Sequence, residues 1–210
     1  MNEQEQRIQL VELAKSMFER GYATGGAGNI SVKLDDTRVL ATPTGSSFGR
    51  LDPERLSVVD MDGQHIAGDK PSKEVSFHLQ IYKNRTSASA IVHLHSTYLT
   101  ALSCLKGLDK SNAIKAFTPY YVMRVGKLPV VDYYNPGDPQ IGVELAALAS
   151  QHRAYLLANH GPVVTGTDLV DAVDNAEELE ETARLALLLE GKDVSYLSEI
   201  NVDILSKKGK

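Results

Sequence analysis

Among its 210 residues the chain has one cysteine and no tryptophan, and it shows no long apolar run, no excess of positive charge and no internal repeat. Each absence removes a class of answer. A lone Cys104 excludes an intramolecular disulfide and any multi-cysteine zinc centre, so a bound metal must rest on histidine and carboxylate. No window approaches the roughly 20 apolar residues of a membrane span. The opening Met1-Asn2-Glu3-Gln4-Glu5 is the reverse of a positively charged signal-peptide start. These features predict a cytoplasmic protein without a membrane partner. The 22 Lys and Arg are outnumbered by 27 Asp and Glu, for a net charge of −5, and lack the basic footprint of a nucleic-acid binder. No nucleic-acid partner is expected. With 42% hydrophobic residues and no linker-like tract, residues 1–210 are expected to form one domain.

The hydrophobic pattern that is present changes period several times. Ile8, Leu10, Val11, Leu13, Ala14, Met17 and Phe18 recur at helical spacing, with Gly21 as a stop. Short β-type runs follow at 30–34, 39–42 and 56–61, separated by turn residues. A helix is predicted over 72–82, a strand over 90–95 and a helix over 97–105. Further strands are predicted at 128–131, 154–158 and 163–165, and a long amphipathic helix over 167–189. Asp and Glu crowd the first half of that last helix, which suits its positive dipole end. The fold class is α/β with a mixed or mostly antiparallel sheet.

Two histidines at i and i+2, His93 and His95, share one strand face, and His160 ends an apolar run just before Gly161-Pro162. Three neutral imidazoles suit a divalent transition metal, zinc most often, and leave positions for substrate oxygens. His65, His78 and His152 have structural settings, and Cys104 resembles a small buried hydrophobe. Pro71-Ser72-Lys73-Glu74 opens a helix whose free amides and Lys73 charge can meet an anion. Glu74 there is either functional or a dipole-favoured surface residue. The glycine-rich segment 21–29 follows a helix and leads into a strand, the reverse of a dinucleotide fingerprint, and it lacks the Gly-Lys-Ser/Thr of an ATP loop. With the small-residue loop 42–47 it makes either an anion cradle or two ordinary turns.

These segments, in order, resemble the class II aldolases of sugar-phosphate type, the superfamily of fuculose-phosphate and rhamnulose-phosphate aldolases and ribulose-phosphate 4-epimerase. The resemblance is carried by Gly25-Gly26-Ala27-Gly28-Asn29-Ile30-Ser31, Thr42-Pro43-Thr44-Gly45, Lys70-Pro71-Ser72-Lys73-Glu74, Val92-His93-Leu94-His95-Ser96 and Leu157-Ala158-Asn159-His160-Gly161. It implies a three-layer α/β/α sandwich assembled as a homotetramer, with one Zn2+ or related divalent ion per subunit held by His93, His95 and His160. Glu74 would be the acid/base residue and could approach the metal. Within the superfamily the chain is most similar to 3-oxo-tetronate 4-phosphate decarboxylases, through Gly68-Asp69-Lys70-Pro71-Ser72-Lys73-Glu74 and Asn175-Ala176-Glu177-Glu178-Leu179-Glu180-Glu181 among other stretches. Lys73 stands where aldolases commonly carry a second serine, and its charge suits a substrate bearing both phosphate and carboxylate. The implied reaction is metal-dependent decarboxylation to dihydroxyacetone phosphate and carbon dioxide through an enediolate, with retro-aldol cleavage of a ketose phosphate as the alternative. Asn29, Thr44, Gly45, Ser72 and Lys73 would hold the phosphate of this small sugar-acid substrate. Tyr121, or Tyr120 beside it, would assist from an adjacent subunit.

Overall fold

Asn2 begins the ordered pattern, because its side chain accepts from the Glu5 amide while Glu5 reaches back to the Asn2 amide. This capping box starts helix α1, Glu3–Glu19, and Gly21 at φ +82° turns the chain out of it. The computed structural model describes residues 1–208, so the last two residues of the expected domain lie outside the described ones.

Three hairpin-connected strands follow: β1 Asn29–Lys33, β2 Arg38–Ala41 and β3 Ser57–Asp60, with the short edge strand β4 His65–Ala67. Helix α2, Val75–Asn84, leads to β5, Ala90–His93, and then to α3, Thr97–Ser103. Beyond these lie α4 Pro119–Arg124, β6 Val130–Val131, α5 Pro139–Ala149, β7 Ala154–Leu157, β8 Gly161–Gly166, α6 Leu169–Leu188 and α7 Glu199–Ser206. The strands form one sheet in the order β4-β3-β2-β1-β5-β8-β7-β6. Every pair is antiparallel except β6 with β7, so the sheet is mixed and largely antiparallel, as expected.

Alternating strand residues divide the core into two layers. Ala90 and Val92 of β5, with Ala154 and Leu156 of β7, face the layer containing Leu10, Ala14 and Met17 of α1 and Leu179 and Ala183 of α6. Ile91 of β5 and Tyr155 and Leu157 of β7 face the opposite layer, with Phe77 and Ile81 of α2 and Ile141 and Leu145 of α5. Helices on both faces make the three-layer α/β/α sandwich. Burial of each large apolar side chain contributes about 1.5–3 kcal/mol. The side of the sheet that carries Ile91 also carries His93, so the last residue of β5 points toward α2.

Several details differ from the sequence expectation. Cys104, expected as a small buried hydrophobe, is exposed at the C-cap of α3. Helix α2 starts at Val75 with Glu74 in the N-cap position, and Ser72 instead accepts the Glu74 amide at 3.3 Å within the preceding turn. His95 lies beyond the end of β5, because the chain leaves the sheet after His93 to begin α3.

Candidate metal and acid/base site

His93 is fully buried at the end of the central strand β5, edge-on to the Phe77 ring. Its Nδ1 meets the Pro162 carbonyl at 2.8 Å. A carbonyl only accepts, so Nδ1 carries the hydrogen and Nε2 presents a lone pair. His95 Nε2 stands 3.2 Å from that atom, and His160 Nε2 stands 3.0 Å from His95 Nε2. Glu74 completes the group, with Oε2 3.4 Å from His93 Nε2 and Oε1 3.4 Å from His160 Nε2. One ligand atom from each of the four residues lies within 4.8 Å of the other three.

This donor set fits a divalent cation. Imidazole lone pairs facing one another at such distances repel unless a proton or a cation lies between them. Burial is the first cause lowering the pKa of His93, His95 and His160, and for His93 the neighbouring imidazoles lower it further. All three are therefore held as neutral imidazoles, the form that binds metal. Three imidazoles and one carboxylate suit zinc and its first-row neighbours better than calcium or magnesium, which take oxygen.

The backbone builds this convergence from separate elements. Gly161 allows the β7–β8 turn to pass against β5, for a Cβ there would lie 2.2 Å from the Leu94 carbonyl oxygen. Asn159, beside His160, is the single non-glycine residue at positive φ (55°) among the described residues, and its amide donates to Ser103 O at 3.0 Å. Asparagine tolerates this left-handed conformation better than most residues. Glu180 of α6 reaches across to the segment after His95, accepting from Ser96 Oγ at 2.6 Å, Tyr98 N at 2.7 Å and Leu99 N at 3.0 Å. Sequence reasoning missed it, since Glu180 looks like one more acid of an acidic helix. The only available signal was its place among the buried helical positions beside Leu179 and Ala183.

The three small-residue segments meet. The Thr44 amide donates to Lys70 O at 2.9 Å, and Pro43 bridges to Pro71. Gly26 packs against this loop, where a Cβ would make ordinary contact with Gly45 O at 3.4 Å. A cavity of about 280 Å³ beside the loop is walled by Thr44, Gly45, Arg50 and Arg55 among others, whereas Asn29, Ser72 and Lys73 are not part of its wall. Asn29 lies instead beside the histidine and glutamate cluster, donating from Nδ2 to Glu74 Oε2 at 2.7 Å. Lys73 is exposed, its stem against Gly137.

Tyr121 departs from the expectation. It is wholly buried in this chain's own core, and its hydroxyl is engaged with Asn112 Oδ1 at 3.0 Å and Ile114 O at 3.2 Å. A side chain so placed does not meet a neighbouring subunit. Tyr120, one residue earlier on the outer face of α4, is 61% exposed.

The pattern of the class II aldolase and adducin N-terminal domain matches residues 8–187. A Haemophilus influenzae 3-oxo-tetronate 4-phosphate decarboxylase is 60% identical over 210 residues, all of both chains. The solved Escherichia coli protein YgbL superposes with a TM-score of 0.95 at 54% identity, covering 97% of this chain and 99% of its own. A solved L-fuculose 1-phosphate aldolase gives 0.86 at 28% identity, covering 97% and 95%. The protein whose histidines and glutamate converge in this way belongs to the class II aldolase and adducin N-terminal domain family.

Proposed function

We propose that the protein decarboxylates a 3-oxo-tetronate 4-phosphate, giving dihydroxyacetone phosphate and carbon dioxide. The observation that carries this reading is the convergence of His93, His95, His160 and Glu74, in a chain similar over its full length to a decarboxylase of that name. His93, His95 and His160 hold one divalent transition ion, zinc by preference for this donor set. When bound, it supplies Lewis acidity where negative charge collects on the substrate's ketone oxygen as the carboxylate leaves.

The chain's own residues do the rest. The bond between the carboxylate carbon and C2 breaks, carbon dioxide leaves, and the electron pair remains on the substrate until a proton reaches C2. Glu74 manages that proton, and Asn29 orients its carboxylate through Oε2. Thr44, Gly45 and Ser72 offer amides and hydroxyls to the phosphate, and Lys73, next to Glu74, offers it positive charge. The adjoining wall adds no net charge, since Arg50 and Arg55 share it with Asp52 and Asp69, and Arg55 pairs with Asp69 at 2.7 Å. One domain of this kind works in the cytoplasm as a homotetramer, with Tyr120 rather than Tyr121 meeting the neighbouring site.

The test is a turnover assay of the metal-loaded protein. Carbon dioxide release from a 3-oxo-tetronate 4-phosphate is expected. Absence of gas, with aldehyde formed from a ketose phosphate, would replace the reading with retro-aldol cleavage by the same parts. Glu74→Gln should lower turnover by about 100-fold or more while metal stays bound; an unchanged rate would remove Glu74 from proton transfer.

A further inference from the structure

A polar seam runs through the otherwise apolar layer between helix α2 and strand β1. On α2, Glu74, His78 and Tyr82 recur every fourth residue and so fall on one stripe, with Glu74 at the N-cap in helical φ and ψ. On β1, Asn29, Ser31 and Lys33 alternate and so share one face. The two sets meet in order. Asn29 Nδ2 donates to Glu74 Oε2 at 2.7 Å, and Ser31 Oγ lies 2.7 Å from His78 Nδ1 and 2.8 Å from Tyr82 Oη. Lys33 Nζ stands 5.2 Å from the centre of the Tyr82 ring. Asn29, Ser31, His78 and Tyr82 are all buried, in the layer that holds Val39, Phe77, Ile81 and Ile91.

From this arrangement we infer that Ser31, His78 and Tyr82 are positioning residues, which fix where α2 rests on β1 and thereby where the Glu74 carboxylate stands against the histidines. Their role rests on the acid/base function proposed for Glu74. Apolar contacts have no direction, so Phe77 and Ile81 alone would let the helix slide or turn on the sheet by fractions of an ångström. Hydrogen bonds hold distance and angle within narrow limits. A serine hydroxyl has one hydrogen and two lone pairs, so Ser31 can serve His78 and Tyr82 at once. Any displaced packing leaves these groups unmet in a dry layer, where that is costly. The bond to Ser31 is the one polar tether of the His78 ring, since its Nε2 has no partner among the described residues. The helix carries the constraint forward. Glu74 and Tyr82 are about 12 Å apart along its axis, at 1.5 Å per residue, so a seat fixed in the later turns fixes the first. Strand β1 reaches the same place from the sheet, for Asn29 is the register partner of His93, whose Nε2 lies 3.4 Å from Glu74 Oε2. A carboxylate that must deliver a proton to one carbon loses rate steeply when it is displaced.

The seat of Glu74 can be followed without turnover, because the Asn29 side-chain amide donates to its carboxylate. The Asn29 Nδ2 resonances of the metal-loaded protein are compared among variants by NMR, and kcat and KM for carbon dioxide release are measured on the same samples. Ser31→Ala and His78→Leu should move the Asn29 signal and lower kcat about tenfold, with KM changed less than about twofold. His78→Asn, whose amide falls where Nδ1 stands, should recover most of both. Tyr82→Phe removes a single hydroxyl and should act like Ser31→Ala at smaller amplitude, so it serves if the larger changes prevent folding. Tyr155→Phe is the control. It removes a buried hydroxyl bond, 2.7 Å to His152 O, from the same layer but on a strand three places from β1, and should lower stability without moving the Asn29 signal or kcat. An Asn29 signal unmoved by Ser31→Ala and Tyr82→Phe, or moved as much by Tyr155→Phe, would overturn the inference. A wild type that releases no carbon dioxide would remove the decarboxylase reading instead, and the Asn29 signal would still decide the role of the seam.

Discussion

His78 shows how a buried residue beside the histidine and glutamate cluster can govern stability. It is fully buried, its Nδ1 lies 2.7 Å from Ser31 Oγ, and that hydroxyl also meets Tyr82 Oη at 2.8 Å. Its Nε2 has no partner. Burial, reinforced by His93, lowers its pKa to about 3. The unfolded chain therefore binds a proton that the folded chain refuses. Stability from this group is complete above about pH 6.5 and is lost as pH falls toward 3, at up to about 1.4 kcal/mol per pH unit. His93, His95 and His160 are shifted in the same direction, so the difference between wild type and His78→Gln isolates this residue. Urea unfolding at pH 7 and pH 5 should show a shallower acid loss in the variant; equal losses would refute the assignment. The convergence of His93, His95 and His160 was legible in the sequence because i and i+2 spacing and a strand-ending His are local patterns. The partner of Asn29 was not, since its bond to Glu74 joins residues 45 apart. Tyr120 and Tyr121 differ only in which face of a short helix they occupy, and α4 has too few turns for its pattern to fix that face.

At the level of elements, α6 and α3 are joined by one carboxylate. Glu180 receives two amides and a hydroxyl at the start of α3, immediately after His95, where the helix dipole favours a negative charge. Removing it leaves those donors buried without a partner, at about 1–3 kcal/mol each before relaxation or water offsets part of the loss. Glu180→Ala should therefore lose about 3 kcal/mol in urea unfolding and bind metal more weakly, whereas Glu181→Ala, on the exposed face, should change neither; equal effects would contradict the bridging role. The strands other than β4, and helices α1, α2, α3 and α6, followed from alternation and helical period. Helices α4, α5 and α7 were not anticipated, although Asp138 caps α5 and Pro139 occupies its first turn. The order of strands could not be read locally, because β1 pairs with β5 some 60 residues later, and the hydrophobic faces alone do not say which strands adjoin.

For the whole molecule, the metal-site reading links cofactor to stability. A cation that binds only the folded chain stabilises it by about 2.7 kcal/mol when present at 100 times its dissociation constant. Chelation should lower the thermal midpoint, and adding zinc back should restore it. A midpoint indifferent to chelator, with metal content shown to fall, would argue against a folded-state site. The central position of β5 bears on how such a site empties. Four strands lie on one side of it and three on the other, so His93 sits in the part of the sheet least exposed to fraying. His95 and His160 lie on loops beyond the strand ends. On the metal-site reading, loss of the ion would be a local event at His95 and His160, and the emptied protein would keep His93 as the anchor on which reloading begins.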